Sequence, residues 1–449
     1  MKKKEYRVNI ESLNEKGLGL ASLEIHGQSR EISVPYTLPD EEVMVHYYPK
    51  KAELIKVLSP SLERQKPRCK HFSYCGGCSL QHMAYEKQLQ HKQEYIEKLF
   101  GPALPIMASE NPWRYRNKME FSFSQTSKEK FLGLKGSKGR VIDLEECHLV
   151  DPIFSQILQL VRQWWKASNL DAYRHQKDQG SLRSFMLRQS KRLDEYLLLL
   201  HVSGNPNYAV PKKDLRALED LFKSHLKVKF SFFLRIQQIQ KGQATQFFEY
   251  KLCGEEFIRE KMRINGKDFI FSMSPQAFFQ PNTEQAEKFY QKALDLAEIS
   301  PENLVYDLYC GTGTIGILAS SLARQVLGIE LCPDACLDAR QNIADLGIEN
   351  MEVLQGDVAL LLEELKQNKP DLLIVDPPRA GLGEKAIRHL KAFNAKKILY
   401  ISCNPKTQAD DLQYFNNYEV LAVQPVDAFP QTAHIENILL LSRKDTEEV

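Results

Sequence analysis

The sequence predicts an α/β protein whose C-terminal part is a doubly wound parallel sheet, preceded by a mixed α+β region and a small N-terminal β-barrel. Three observations carry that expectation. Apolar strands alternate with helical stretches from residue 271 onward, a glycine-rich turn follows the first of these strands, and short polar motifs closed by proline follow two later ones.

In the N-terminal part, Arg7-Val8-Asn9-Ile10, Gly17 to Ala21, Ile32-Ser33-Val34-Pro35 and Glu42 to His46 read as strands, separated by turn residues. Strands so short and closely spaced suggest an OB-like barrel over residues 1–60, a design that binds single-stranded nucleic acid on one sheet face. The stretch from Pro60 to Pro67 reads as a linker. Residues 61–270 mix a helix at Tyr85 to Leu99 with strands at Glu120 to Ser124 and Tyr196 to Val202, without a regular βα alternation.

Residues 271–449 carry the regular pattern. Strands are expected at Leu304 to Asp307, Gln325 to Ile329, Met351 to Leu354, Leu372 to Val375 and Lys397 to Ile401, a Rossmann-like sheet. Two further strands, Glu419 to Gln424 and Ile438 to Ser442, have no crossover helix between them and should close the sheet as an antiparallel pair.

Composition narrows the setting. Hydrophobic residues make up 43% and charged residues 26%, as expected of a chain with real cores. No apolar run approaches ~18 residues, so no membrane-spanning helix is expected. The basic start, Met1-Lys2-Lys3-Lys4, lacks the apolar segment of a secretory signal. A cytoplasmic monomer is expected, its nine cysteines reduced and available for metal or chemistry. Net charge is only +2, yet Arg64 to Arg140 holds 15 Lys and Arg against 6 Asp and Glu. That imbalance suits a phosphate-binding surface, and equally a solvated lysine-rich face.

Gly311, Gly313 and Gly316 satisfy G-x-G-x-x-G between a strand and a helix, so the backbone can approach a nucleotide closely. Glu330, ending the second strand, suits the two hydroxyls of a ribose. So far NAD and S-adenosylmethionine fit comparably. Asp307 favours the latter, since its carboxylate can hold the ammonium of a methionine moiety, and Asp357 can reach an adenine amino group.

Two motifs, Asp376-Pro377-Pro378-Arg379 and Ser402-Cys403-Asn404-Pro405, stand at carboxyl ends of strands, and Thr432-Ala433-His434-Ile435-Glu436-Asn437 precedes the last. Methylating carbon 5 of uracil needs a thiol to add at carbon 6, a base to take the proton from carbon 5, and an acid near the carbonyl. Cys403, Glu436 and Asp376 can supply these.

The C-terminal region resembles the RNA uracil-5-methyltransferase family. Ser274 to Asn282 (SPQAFFQPN), Asp307-x-x-Cys310-Gly311-x-Gly313, Asp376-Pro-Pro-Arg379, Ser402-Cys403-Asn404-Pro405 and His434-Ile435-Glu436 occur in the family's order. The resemblance implies that Gln280, Tyr309, Glu330 and Asp376 contact S-adenosylmethionine, with Cys403 as nucleophile and Glu436 as base. Thr314 stands where relatives often carry Asn. The resemblance also makes the N-terminal barrel a TRAM-like module and favours 23S ribosomal RNA, with a transfer-RNA uridine as the alternative. An NAD-dependent iron–sulfur oxidoreductase would leave Cys403 and Glu436 without work.

Cys69, Cys75 and Cys78, completed by Cys147 far downstream, have only one C-x-x-C pair. Three grouped thiols and a distant fourth suit a [4Fe-4S] cluster, with zinc as the alternative. In the ribosomal-RNA branch of the family, such cysteines carry that cluster. Cys253, Cys310, Cys332 and Cys336 read as packing residues, and Trp164-Trp165 as core.

Overall fold

Alternating buried and exposed residues fold the N-terminal part into strands. A computed structural model describes residues 4–444 other than 26, 49–50, 137–138, 241 and 366. Strands β1 (Glu5–Asn9), β2 (Ser12–Leu13), β3 (Gly19–Ile25), β4 (Gln28–Val34), β5 (Glu42–Tyr48) and β6 (Lys51–Ser59) form two three-stranded sheets, β1-β5-β6 and β2-β3-β4. Among the described residues the expected OB-like barrel is thus not shown as a closed one. The chain changes partner between β1 and β2: the Ile10 N–H bonds the Glu41 carbonyl at 2.9 Å, whereas the Glu11 N–H bonds the Leu20 carbonyl at 2.8 Å. Among the described residues no ladder joins the two sheets. They share instead an apolar core of Val8, Ile10, Leu23, Val34, Val43 and Val45.

The segment Pro60 to Pro67, expected as a linker, is anchored at Arg64 while Leu62, Glu63, Gln65 and Lys66 are exposed. Arg64 donates to the Tyr36 carbonyl at 2.8 Å and grips the fully buried Glu41 carboxylate, which the Arg64 hydrogen bonds hold below the usual range against the upward push of burial.

Helix α1 (Tyr85–Phe100) precedes β7 (Lys118–Gln125), β8 (Lys130–Lys135), β9 (Val141–Asp143), α2 (Pro152–Ala167), β10 (Leu182–Gln189), β11 (Glu195–Ser203), α3 (Lys212–His225), β12 (Lys229–Gln238) and β13 (Gln246–Cys253). The strands make one sheet in the order β13-β12-β11-β10-β7-β8-β9, antiparallel except for β11 and β12, which α3 connects. Helix α2 starts where the Asp151 carboxylate accepts from the Ile153 N–H at 3.1 Å and Pro152 takes the first position. Its apolar face, with α3, covers the sheet through Phe154, Trp164, Trp165 and Phe222. Both tryptophans are core: their indole N–H groups bond the Asp214 and Leu170 carbonyls at 2.8 and 2.9 Å.

A hairpin, β14 (Ile258–Ile264) and β15 (Lys267–Met273), and helix α4 (Thr283–Ala297) lead into the last sheet. Its elements are β16 (Leu304–Leu308), α5 (Thr314–Ser320), β17 (Gln325–Glu330), α6 (Pro333–Asp345), β18 (Met351–Gln355), α7 (Val358–Glu364), β19 (Leu372–Val375), α8 (Gly383–Phe393), β20 (Lys397–Ser402), α9 (Pro405–Leu412), β21 (Tyr418–Val426) and β22 (Glu436–Arg443). The order is β18-β17-β16-β19-β20-β22-β21. The first five strands are parallel and β22 lies antiparallel between β20 and β21. Nearly continuous apolar strands such as Leu372-Leu373-Ile374-Val375 follow from burial on both faces. No helix among the described residues is long and apolar enough to cross a membrane.

Candidate active site

Parallel strands present their carboxyl ends along one edge of the sheet, and the sequence motifs gather there. Asp307, near the end of β16, is fully buried. One carboxylate oxygen accepts from the Gly316 N–H at 2.9 Å, and the other has no partner. Burial pushes this acid up to about 8, with Asp376 and Glu330 pushing the same way. A Cβ at Gly316 would stand 2.6 Å from Met351 Cε and 2.7 Å from the Asp307 carboxylate, so a side chain there would displace them. Tyr309, Gly311 and Gly313 all have positive φ, of 62°, 55° and 78°, so the loop turns back on itself. Glu330 braces that turn: its two oxygens accept from the Gly311 N–H at 3.0 Å and the Cys332 N–H at 2.8 Å. Thr314 opens α5 with its hydroxyl 3.1 Å from that of Thr312. Asp357 caps α7, accepting from the Leu360 N–H at 3.2 Å.

Sheet register explains how residues far apart in the chain meet. Ser402 of β20 pairs with Asn437 of β22 in antiparallel sense. Cys403, one residue beyond, therefore faces the start of β22, where Glu436 stands. Strand β22 begins two residues earlier than the sequence pattern suggested, which draws Glu436 into the sheet edge. Burial holds Glu436 far above the usual carboxylate range, Asp376 adds to this, and Arg379 opposes it. Burial pushes Asp376 up to about 7. The Cys403 thiol is pushed to about 11 by burial and by Glu436 and Asp376, against Arg379.

Arg379 ties the loops together. Its guanidinium donates to His434 Nδ1 at 3.2 Å, and its carbonyl accepts from the Asn404 side chain at 3.0 Å. Burial, with Arg379, holds His434 down to about 4, so the ring is neutral near pH 7 and accepts this bond. Gln408 donates to the Tyr400 carbonyl at 2.9 Å and accepts from the Asn437 side chain at 2.8 Å, locking β20 and β22 together laterally.

Sequence reasoning missed Tyr290. Burial raises its hydroxyl above the ordinary range, Asp376, Glu436 and Asp307 each add to this, and a hydrogen bond with Gln280 opposes it. One phenol on α4 thus senses all three acids and the motif glutamine. The only sequence signal was a hydroxyl on the apolar face of Phe289, Ala293 and Leu294. Cys310 is buried, with its sulfur 3.0 Å from where a Gly328 Cβ would lie, and Cys336 bonds the Glu330 carbonyl at 3.3 Å. Both are packing residues.

Cys69, Cys75, Cys78 and Cys147 line one cavity with His71, Gln81, Leu134 and Leu149. None is in a disulfide. Burial pushes Cys78 up to about 12 and Cys147 to about 11, and the grouped thiols raise one another. Among the described residues no three Cys, His, Asp or Glu side chains converge tightly enough for a single metal ion.

This sheet order, with an acid after its first strand and a braced glycine turn beside it, defines the fold of the S-adenosylmethionine-dependent methyltransferases. Along 97% of this chain and 100% of the other, with a TM-score of 0.75 and 24% identity, the fold matches the Pyrococcus abyssi tRNA (uracil-54, C5)-methyltransferase in complex with S-adenosyl-L-homocysteine. Residues 210–444 match the tRNA (uracil-5-)-methyltransferase family. An uncharacterized RNA methyltransferase of Protochlamydia amoebophila is 44% identical over 441 residues, 92% of this chain and 100% of the relative. Another, of Clostridium tetani, is 34% identical over 465 residues, 99% of each. The chain belongs to the RNA (uracil-5-)-methyltransferase family, enzymes that use S-adenosylmethionine.

Proposed function

We propose that this enzyme methylates carbon 5 of a specific uridine in 23S ribosomal RNA through a covalent bond between Cys403 and carbon 6 of the base. The observation that carries the reading is the Ser402–Asn437 register, which sets a thiol and a buried acid across from each other. Cys403 attacks carbon 6 as a thiolate, a form that Arg379 favours. Carbon 5 then becomes nucleophilic and takes the methyl group. Glu436 removes the proton from carbon 5, and Cys403 leaves. The uridine must be single-stranded or flipped out to reach the sulfur.

Asp307 suits the ammonium of the cofactor, since its second oxygen is buried without a partner. Glu330 suits a ribose, and Gln280, Tyr309, Gly311, Gly313, Thr314, Asp357 and Asp376 form the rest of the pocket. S-adenosylmethionine supplies the methyl group on a positively charged sulfur. Asp307, Asp376 and Glu436 resist ionisation among protein groups alone, because they are buried and Asp376 pushes the other two further up. A cation beside them reverses that preference. Glu436, as a carboxylate, would then be the group that takes the carbon-5 proton.

The four cysteines hold a [4Fe-4S] cluster in this reading. A cavity that gathers four thiols suits it, and thiols pushed this high become thiolates when metal draws them. A cluster binds each thiolate to a different iron, so its ligands need not converge on one ion. Residues 1–60 act as the TRAM-like RNA grip, 61–270 as the iron–sulfur domain and 271–449 as the methyltransferase domain of a cytoplasmic monomer. The names of the matching family and of the Pyrococcus neighbour favour a transfer-RNA uridine as a second reading. Mapping 5-methyluridine in RNA from a deletion strain decides between them.

The mechanism is tested with two variants. Cys403→Ala abolishes both methyl transfer and the adduct with an RNA bearing 5-fluorouridine at the target. Glu436→Gln accumulates a methylated covalent adduct that survives denaturing electrophoresis. Normal turnover by Glu436→Gln would place the base elsewhere.

A further inference from the structure

The loop that delivers Glu436 is held from outside its own sheet. Between β21 and β22, each residue from Asp427 to Gln431 is anchored. The buried Lys92 ammonium donates to Asp427 at 2.7 Å and to the Phe429 carbonyl at 3.3 Å, and neither Lys92 nor Asp427 has an exposed side chain. Tyr85 donates to the other Asp427 oxygen at 2.8 Å. The Ala428 carbonyl accepts from Asn282 at 3.1 Å, and the Pro430 carbonyl from Tyr115 at 3.1 Å.

Gln431 sits at φ 69°, an unusual conformation for a residue with a side chain. Gln88 of α1 holds it there. The Gln88 carbonyl oxygen accepts from the Gln431 N–H at 3.0 Å, and its amide donates to the Gln431 side chain at 3.1 Å. The same amide donates to the Leu80 and Met83 carbonyls at 3.1 and 2.9 Å. The Gln431 carbonyl in turn accepts from the Ser79 and Leu80 N–H groups at 3.0 and 3.1 Å. Ser79 directly follows Cys78. The arch therefore has two footings, α1 and the cysteine loop.

We propose that Gln88 and Lys92 are positioning residues for Glu436: they fix the 427–431 arch so that the carboxyl group meets the carbon-5 proton. The proposal rests on Glu436 being the base. In the step concerned, the carboxylate takes that proton, the C–H electron pair becomes the carbon 5–carbon 6 double bond, the carbon 6–sulfur bond breaks, and Cys403 departs as thiolate. Cys403 lies between β20 and α9, to which none of the hydrogen bonds of residues 427–431 given above runs. Misplacing the arch therefore slows release of the product and spares the attack.

The test uses the full chain and a transcript spanning the uridine mapped as its target. Gln88→Met keeps the side-chain volume and removes the clamp. Lys92→Met combined with Asp427→Asn removes both charges and leaves no unpaired buried ion. For both proteins, release of the methylated adduct is expected to slow about tenfold or more, while trapping on 5-fluorouridine RNA stays within about twofold of wild type. Unchanged release, or release and trapping falling in parallel, overturns the proposal. Glu436→Gln run alongside separates the two ideas. If it accumulates the methylated adduct and Gln88→Met does not, the arch proposal alone fails. If it does not accumulate the adduct, the assignment of the base has failed and the arch proposal goes with it.

Discussion

Asp307 gives one carboxylate oxygen to the Gly316 N–H at 2.9 Å and keeps the other buried with no partner. A buried acceptor without a donor is costly, and the protein lessens the cost by keeping the acid protonated up to about pH 8.

That cost has a pH signature. In the unfolded chain Asp307 ionises near pH ~4, while in the folded one it holds its proton to about 8. Between those values the folded state binds the extra proton, so stability falls as pH rises. Asp307→Asn should raise the unfolding temperature of the cofactor-free protein at pH 8, by at least about 1 kcal/mol of stability, and should change little at pH 4. Thermal unfolding across this range measures it. The same variant should lose affinity for S-adenosylhomocysteine by calorimetry. An equal gain at both pH values would mean that ionisation is not the cause.

Protein purified without oxygen should be brown and hold about four irons per chain. Cys75→Ser should lose iron and weaken RNA binding, with affinity for S-adenosylhomocysteine retained. Stoichiometric zinc without iron by metal analysis would remove the cluster assignment.

The basic stretch from Arg64 to Arg140 is not one uniform surface. Lys92 is buried against Asp427, Lys70 pairs with Glu145, and burial takes Lys118 down to about 7. Exposed cations among the described residues include Lys66, Arg68 and Arg114 near the cysteine loop, besides Lys98, Lys128, Lys135 and Arg140. Neutralising the first three should flatten the dependence of log affinity on log salt by about 0.7 for each phosphate that the protein no longer neutralises. An unchanged slope in filter-binding titrations would place the RNA surface elsewhere.

Local patterns made most of the site readable in advance. A strand, a glycine turn and an acid recur within 24 residues from Asp307 to Glu330, so the pocket lies in nearly contiguous sequence. The antiparallel closing pair could also be foreseen, because no crossover helix fits between its strands. Register could not. Whether Ser402 meets Asn437 depends on side-chain packing across three strands, which no periodicity records. The hydrogen bonds of Gln88 with Gln431 and of Lys92 with Asp427 span 343 and 335 residues, and a glutamine and a lysine on an amphipathic helix read as solvent-facing. The N-terminal strands were visible, but their division into two sheets turns on the partner change at Ile10 and Glu11.

The placement of β22 between β20 and β21 also bears on synthesis. As the chain leaves the ribosome, β20 emerges with one edge unpaired and β21 has no neighbour until residues 436–443 follow. Until then the thiol at 403 has no acid opposite it. The strand that gives β20 and β21 their shared neighbour also brings Glu436 opposite the thiol, so the nascent chain completes its candidate site only as that inner edge is covered.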